Sequence, residues 1–396
     1  MRIAHVSDFY LPRLGGVEMH VHDLATRQLA AGHTVEILTS TPGASTPGAG
    51  TPGAETPEAE AGEDSVPIVR RVTEVLRHPR ALHPAAPRLV AQALREGKYD
   101  VVHAHSGIWS PFGWAGVAAA VGAGIPAVVT LHSLLTSYEP GFRLADLVLR
   151  WTSRPVQLTA VSEVAAAPLR RLAGPDREVL VLPNGIDPDE WRITPAPRRP
   201  DQVVVAGVMR LALRKRPLPL LRMLRRARPA LPAGIDLRAV IVGDGRQRAA
   251  MERYLRRHGM DWVELPGRLP RSGIRAVFQR ADLFVAPATL ESFGIAALEA
   301  RCSGLPVLAR AGSGVGAFVV DGQDGLLAGS DGDMVGALVR LAGDPEERER
   351  MAMHSRRVPV DLGWPAVLRR TEAAYVAADQ LARSRTHPPA VLSAAG

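Results

Sequence analysis

Short apolar runs recur through the first half of the chain, each followed by a longer segment with helical spacing. Ile3 to Ser7, Thr34 to Thr39, Val101–Val102, Ala127 to Leu131, Leu158 to Val161 and Val179 to Leu182 read as strands. A helix is predicted from about Glu18 to Ala31, with Gly32 where a cap glycine belongs. This alternation predicts a parallel sheet with helices on both faces. After a proline-rich stretch it restarts, with strands at Val203 to Val205, Leu237 to Val242, Val263–Glu264, Leu283 to Ala286 and Pro306 to Ala309. Two α/β domains follow, at 1–195 and 201–355, with a C-terminal helical segment at 356–385 that holds an amphipathic helix from Trp364 to Leu381.

Three stretches interrupt the rhythm. Thr41 to Asp64 repeats Thr-Pro-Gly-Ala with almost no large apolar residue, and is expected to be a disordered low-complexity loop. Pro183 to Pro200 carries five prolines and an Asn-Gly, as an interdomain linker would. Ser106 to Tyr138 has no charge other than His132, but Pro111, Gly122, Gly124 and Pro126 divide it. It reads as a buried helix followed by a buried strand, not a membrane span, which needs about 20 continuous apolar residues.

Composition changes this picture little. Of 396 residues, 46% are hydrophobic and 22% charged, normal for a globular protein, while aromatics at 5% leave the cores to Ala, Val and Leu. The formal net charge of +8 is compatible with nucleic acid, an anionic membrane or phosphorylated small molecules. A single cysteine, Cys302, excludes an intrachain disulfide and a Cys-based zinc site, which suits a reducing cytosol; it is expected to be a small buried residue. The first residues are too few and too polar for a signal peptide.

The candidate chemistry concentrates between Leu283 and Pro306. A strand ends at Pro287, a loop carries Glu291, a helix opens near Gly294, and Gly304 ends it. Ligands bind at the carboxyl ends of strands in open α/β sheets, where Glu291, Ser292, Phe293 and Gly294 fall. The amides of Phe293, Gly294 and Ile295 would point from a helix N-terminus, which favours a phosphate. Gly294 to Glu299 spans about 7.5 Å of helix, so the two glutamates could touch different parts of one extended ligand. Alone, they could also be a capping acid and a solvated one.

Glu-x7-Glu enclosing Ser-Phe-Gly, followed by Glu-Ala-x-x-x-Gly-x-Pro-Val, resembles the retaining glycosyltransferases of the GT4 type. The resemblance covers nearly the whole chain except 41–64 and the last dozen residues. It implies two Rossmann-like domains facing a central cleft, the GT-B fold, with a C-terminal helix crossing back to the first domain. It implies that Glu291 binds donor-sugar hydroxyls and Glu299 the ribose, with the 293–295 amides beside the sugar and diphosphate. Arg210 and Lys215 match the family's Arg and Lys five residues apart, cations that would stabilise the departing diphosphate; Arg214 and Arg216 exceed that pattern. Leu14-Gly15-Gly16-Val17-Glu18 resembles Gly-Gly-x-Glu, whose Gly16 amide would face the diphosphate. His132 resembles the histidine beside the donor sugar, and His105 falls on the acceptor side; neither has partners spaced like a metal site. Gly243 and Arg268 resemble loops near the nucleotide, although a plain turn explains Gly243 equally well. Trp364 and Tyr375 are expected to be structural.

The implied reaction moves a sugar from a UDP- or GDP-sugar to a sugar, lipid or small-molecule acceptor with retention. No cofactor or metal is expected, since Arg and Lys supply the positive charge. A cytoplasmic protein is expected, with a possible peripheral contact on an anionic membrane. Two alternatives stand beside this: a nucleotide-sugar epimerase on the same fold, and a non-enzymatic protein that binds anions or nucleic acid. Nucleic acid is not an expected partner, because the basic residues are scattered and rarely interleaved with aromatics. An NAD enzyme is disfavoured by the lack of Gly-x-Gly-x-x-Gly after either first strand.

Overall fold

The structure, a computed structural model, describes residues 1–13, 15–43, 67–71, 85–107, 110–136, 139–149, 152–197 and 199–386. The chain forms two compact units, one of Met1–Gly185 with the chain from Trp364, the other of Ile186–Gly363.

Unit 1 holds strands β1 (Arg2–Ser7), β2 (Thr34–Thr39), β3 (Ile68–Arg71), β4 (Val101–Ser106), β5 (Ala127–Leu131), β6 (Gln157–Ala160) and β7 (Val179–Val181). They pair in parallel in the order β3-β2-β1-β4-β5-β6-β7. Every residue of β4, β5 and β6 is buried, which explains their short unbroken apolar runs. Helices α1 (Gly16–Ala30), α2 (Ala86–Gly97), α3 (Pro111–Gly122), α4 (Glu139–Leu149) and α5 (Glu163–Ala173) connect them. The uncharged 106–138 stretch thus contains α3 and the buried β5, as expected, and no helix among the described residues is long and apolar enough to cross a membrane.

Unit 2 repeats the plan. In chain order it holds α6 (Pro188–Trp191), β8 (Gln202–Val208), α7 (Pro217–Ala227), β9 (Asp236–Val242), α8 (Arg248–Arg257), β10 (Val263–Gly267), α9 (Arg271–Arg280), β11 (Leu283–Ala286), α10 (Ile295–Cys302), β12 (Val307–Arg310), β13 (Gly325–Ala328), α11 (Asp331–Gly343) and α12 (Pro345–Arg357). Its sheet order is β10-β9-β8-β11-β12-β13. Strand order reverses beside the first strand in each sheet, between β1 and β4 and between β8 and β11. Such a switch point opens a crevice at the carboxyl ends of the strands.

The closing helix, α13 (Trp364–Thr386), belongs to unit 1, where Ala374, Tyr375 and Ala378 join the core of Ile3, Ile37 and Val101. Gly185 is the reason Trp364 fits: a Cβ there would stand 2.6 Å from its ring. Two boundaries differ from the sequence reading. The proline-rich 183–200 stretch is not a free linker. Asp187 caps α6, Trp191 is buried against Phe278 with ring centroids 5.9 Å apart, and Ala196 donates to the Gln279 carbonyl. The low-complexity segment lies outside the described residues from 44 onward, but its first residue is part of the fold. Thr41 is buried, accepts the Tyr10 amide at 2.9 Å and donates to the Asp8 carbonyl. β3 and β13 were not foreseen.

Candidate active site

In unit 2 the motif residues gather where β8, β9, β10 and β11 end. Glu291 follows β11, and its side chain accepts an ion-pair hydrogen bond from Lys215 Nζ in a part-buried setting. Lys215 closes a 3-10 turn at Leu213–Lys215. The next residue, Arg216, adopts a left-handed conformation at φ 58 that non-glycine residues seldom take. That turn aims its guanidinium at both Asp331 carboxylate oxygens, at 2.8 and 2.7 Å, and at the Pro287 carbonyl at 3.2 Å. Arg216, which exceeded the family pattern, therefore straps the end of β11 in place beside the Lys215–Glu291 pair.

Arg210 lies exposed on the loop after β8. That loop rests on the turn after β9: Met209 N donates to Val242 O at 3.0 Å and Leu211 N to Asp244 O at 2.9 Å. A Cβ at Gly243 would stand 1.9 Å from the Met209 carbonyl oxygen, and one at Gly245 2.6 Å from that of Leu211. Both glycines also have positive φ, so the close approach and the turn require them. Gly243 thus serves as the floor beneath the Arg210 loop, and its amide donates to Gly267 O at 2.7 Å, next to the exposed Arg268.

The helix opens as expected: Gly294, left-handed at φ 97, precedes Ile295 at the start of α10, and Glu299 lies one turn on, part exposed. Phe293 contributes only its backbone to this mouth. Its ring is buried against Phe318, 5.4 Å between centroids. Ser292 is part exposed on the loop. Sequence reasoning missed what anchors α10. Arg301 Nε donates to the fully buried Asp324 at 3.1 Å, His354 holds the other carboxylate oxygen at 2.8 Å, and Arg301 also reaches the Val358 carbonyl. Cys302 is part buried, and burial pushes its thiol up to about 12, which leaves it protonated at neutral pH.

In unit 1, α1 starts at Gly16, two residues before the expected Glu18, with Gly16 exposed at the helix mouth. Asp8, which follows β1 and was not singled out, takes the first amides of α3 on its carboxylate: Phe112 N at 3.0 Å and Gly113 N at 2.9 Å. Burial outweighs these hydrogen bonds and raises it to about 6.

The largest departure concerns the histidines. His132 follows β5, but His105 lies inside β4, and both are buried with His5, His20 and His103. Register explains the cluster. His5 on β1 pairs His103 on β4, and His105 is two residues on, on the same face. Linear spacing gave no metal-like partners, yet the ligand nitrogens of His5, His103 and His105 lie within 4.8 Å of one another. Every ring nitrogen of the three already has a hydrogen-bond partner, so an ion there would have to displace those bonds. His105 holds His5 through one nitrogen and His132 through the other, which leaves neither for an acceptor. Burial pushes His132 down to about 3 and His5 to about 4, with Gln28 partly offsetting the latter; His103 and His105 are also held well below the usual histidine value, by burial first and by neighbouring histidines second, His5 for His103 and His103 for His105. All four are neutral at physiological pH. Tyr375, expected to be structural, joins this cluster through its hydroxyl, and Trp364 stacks on His20 at 5.9 Å.

Residues 14–190 match the family model for Glycosyltransferase Family 4, and residues 189–358 that for Glycosyl transferases group 1. A glycogen synthase of Mycobacterium tuberculosis is 30% identical, over 96% of this chain and 95% of its own. A D-inositol 3-phosphate glycosyltransferase of Kribbella flavida is 31% identical, over 72% of this chain and 73% of its own. Among solved structures, Anabaena HepE in complex with UDP and glucose superposes with a TM-score of 0.73 over 95% of this chain and 99% of its own; at 19% identity that likeness establishes the shared fold. The chain belongs to the GT4-type, group 1 glycosyltransferases and has their GT-B fold.

Proposed function

We propose that this glycosyltransferase moves a hexosyl group from a UDP- or GDP-sugar to a hydroxyl acceptor with retention of anomeric configuration. The observation that carries the reading is the Lys215–Glu291 pair at the carboxyl end of β11, with the Arg210 loop and the mouth of α10 in the same unit. Glu299 holds the ribose, Glu291 the sugar hydroxyls, and Arg268 and the Gly243 turn flank the nucleotide. The amides from Phe293 to Ile295 and that of Gly16 serve the sugar and diphosphate. The bond between the anomeric carbon and phosphate oxygen breaks, the acceptor oxygen bonds to the same face of that carbon, and the departing phosphate oxygen takes the acceptor proton. Arg210 and Lys215 neutralise the diphosphate as it leaves, which supplies the charge that a divalent metal would otherwise bring. Unit 1 supplies His132 and the acceptor side.

Thermal shift against UDP, GDP, ADP, UDP-glucose and GDP-mannose tests the donor site. A ligand at 100 times its Kd stabilises the fold by about 2.7 kcal/mol. One base family should shift the wild type, and Glu299→Ala should lose that shift; no response from folded protein at millimolar nucleotide would overturn the reading. The acceptor reading includes lipid. Leu144 and Leu147 on α4 are 68% and 77% exposed, and the net charge is +8. Sedimentation with anionic vesicles at physiological salt is the expected result, and protein left wholly in the supernatant would reject a membrane surface.

A further inference from the structure

The buried histidines are linked in a single hydrogen-bond series that starts at a fixed point. Thr159 Oγ1 donates to the Val129 carbonyl at 3.1 Å, and a carbonyl can only accept. That uses the one Thr159 hydroxyl proton, so Thr130 Oγ1, 2.6 Å away, donates to Thr159. Thr130 has then spent its own proton, and His103 Nε2, at 2.7 Å, must donate to it. A neutral His103 has one ring proton, so its Nδ1 accepts, and the Tyr375 hydroxyl donates to it at 3.1 Å. Tyr375 in turn accepts from Gln28 Nε2 at 2.9 Å, which turns Gln28 Oε1 towards His5. His5 Nε2 donates to that oxygen at 2.7 Å. His5 Nδ1 therefore accepts from His105 Nε2 at 2.8 Å, and His105 Nδ1 accepts from His132 Nε2 at 3.0 Å. With the Thr159 proton committed to the Val129 carbonyl, each later step leaves one choice, because a buried nitrogen without a partner costs about 1–3 kcal/mol.

We propose that this series is a tautomer lock: Thr159, Thr130, His103, Tyr375, Gln28, His5 and His105 are positioning residues that hold His132 as the Nε2–H tautomer, with Nδ1 as its acceptor. Through Tyr375, α13 takes part in setting the proton on a histidine of the candidate site. The burial that keeps the four rings neutral is what makes the series directional, since a doubly protonated ring would donate at both ends and break it. The consequence for sugar transfer rests on the role proposed for His132. The lock itself does not.

The test is long-range ¹H–¹⁵N NMR on full-length protein with ¹⁵N-labelled histidine side chains, which reports which ring nitrogen carries the proton, without donor or acceptor. His132 is assigned by the signals lost in His132→Gln. Wild type should show His132 protonated on Nε2 only. Thr159→Val removes the anchoring hydroxyl without touching any of the histidines. It should let the series reverse, so that a second His132 tautomer appears, while Thr159→Ser should restore one. Tyr375→Phe cuts the series at an independent place and should also release the second tautomer. Wild-type His132 protonated on Nδ1, or on both nitrogens at neutral pH, would overturn the lock without any variant. So would a single Nε2–H tautomer surviving in either folded variant. Unchanged transfer activity in a variant that does show the second tautomer would count against the role of His132 and not against the lock.

Discussion

Lys215→Ala is expected to lower kcat by about 10²–10³-fold, equivalent to about 2.7–4 kcal/mol of transition-state stabilisation, against the nucleotide-sugar identified by thermal shift. Two losses combine. In the proposed mechanism the departing diphosphate loses a cation beside it, at the moment its charge grows. Glu291, which is part buried and paired to Lys215, loses the group that fixes its carboxylate. The effect should fall on kcat more than on KM, because the charge develops in the transition state and not in the bound donor. Stability should change little. The Lys215 and Glu291 side chains are 23% and 15% exposed, and a pair still open to solvent contributes on the order of 1 kcal/mol or less. Steady-state rates beside a melting curve separate the two. A well-folded variant within fivefold of wild-type kcat would remove Lys215 from the proposed chemistry. Lys215→Arg should recover part of the rate, since it keeps the charge but changes its reach.

What the sequence disclosed follows the range over which each feature is built. The candidate donor residues could be grouped from sequence because one strand–loop–helix segment carries Glu291 through Glu299, and one loop carries Arg210 through Lys215. Propensity, glycine placement and residue chemistry all act there over a dozen residues, and the alternation that revealed two parallel sheets is local in the same sense. The histidine series was illegible for the opposite reason. It needs β1 beside β4, β4 beside β5, and the register that sets His5 against His103, which no linear spacing encodes. It also needs Tyr375 and Gln28, which are 347 residues apart. Trp364 and Tyr375 read only as structural residues, because a place on the returning C-terminal helix implies packing and names no polar partner.

Arg216 and Gly243 show a second limit. A basic residue beside a candidate lysine and a glycine after a strand each fit several roles. Only the bidentate bond to Asp331, and the 1.9 Å at which a Cβ on Gly243 would meet the Met209 carbonyl oxygen, identify them as supports for the candidate loops. The prolines of 183–200 mark the junction of the two units but not its local structure. Proline at the start of α6 suits a helix N-terminus as well as it suits a tether, and Trp191, packed on Phe278, decides for the helix.

Gly314→Ala should damage stability and transfer together, although no motif marks this position. Gly314 begins the 3-10 turn Gly314–Ala317 and passes directly beneath the glutamate loop, donating its amide to the Glu291 carbonyl at 2.8 Å. A Cβ there would stand 2.1 Å from the Ser292 carbonyl oxygen, 2.4 Å from its carbon and 2.6 Å from the Phe293 nitrogen. All three are backbone atoms, so no side-chain rotation relieves the clash, and the 291–293 loop must move. Forcing an atom into a packed site costs about 1–3 kcal/mol, and in a unit of this size each kcal/mol lowers Tm by about 2–4 °C. The displaced groups include Glu291 and the Phe293 amide, and a shift of about 1 Å in such groups reduces rate by on the order of 10²-fold. Gly316→Ala, in the same turn, is the control. Its Cβ would meet only the Leu327 side chain at 3.8 Å, an ordinary contact. Melting temperature and kcat should both fall for Gly314→Ala and hold for Gly316→Ala. If Gly314→Ala melts and turns over like wild type, the loop is not held against that turn, and the support assigned to Gly314 is wrong.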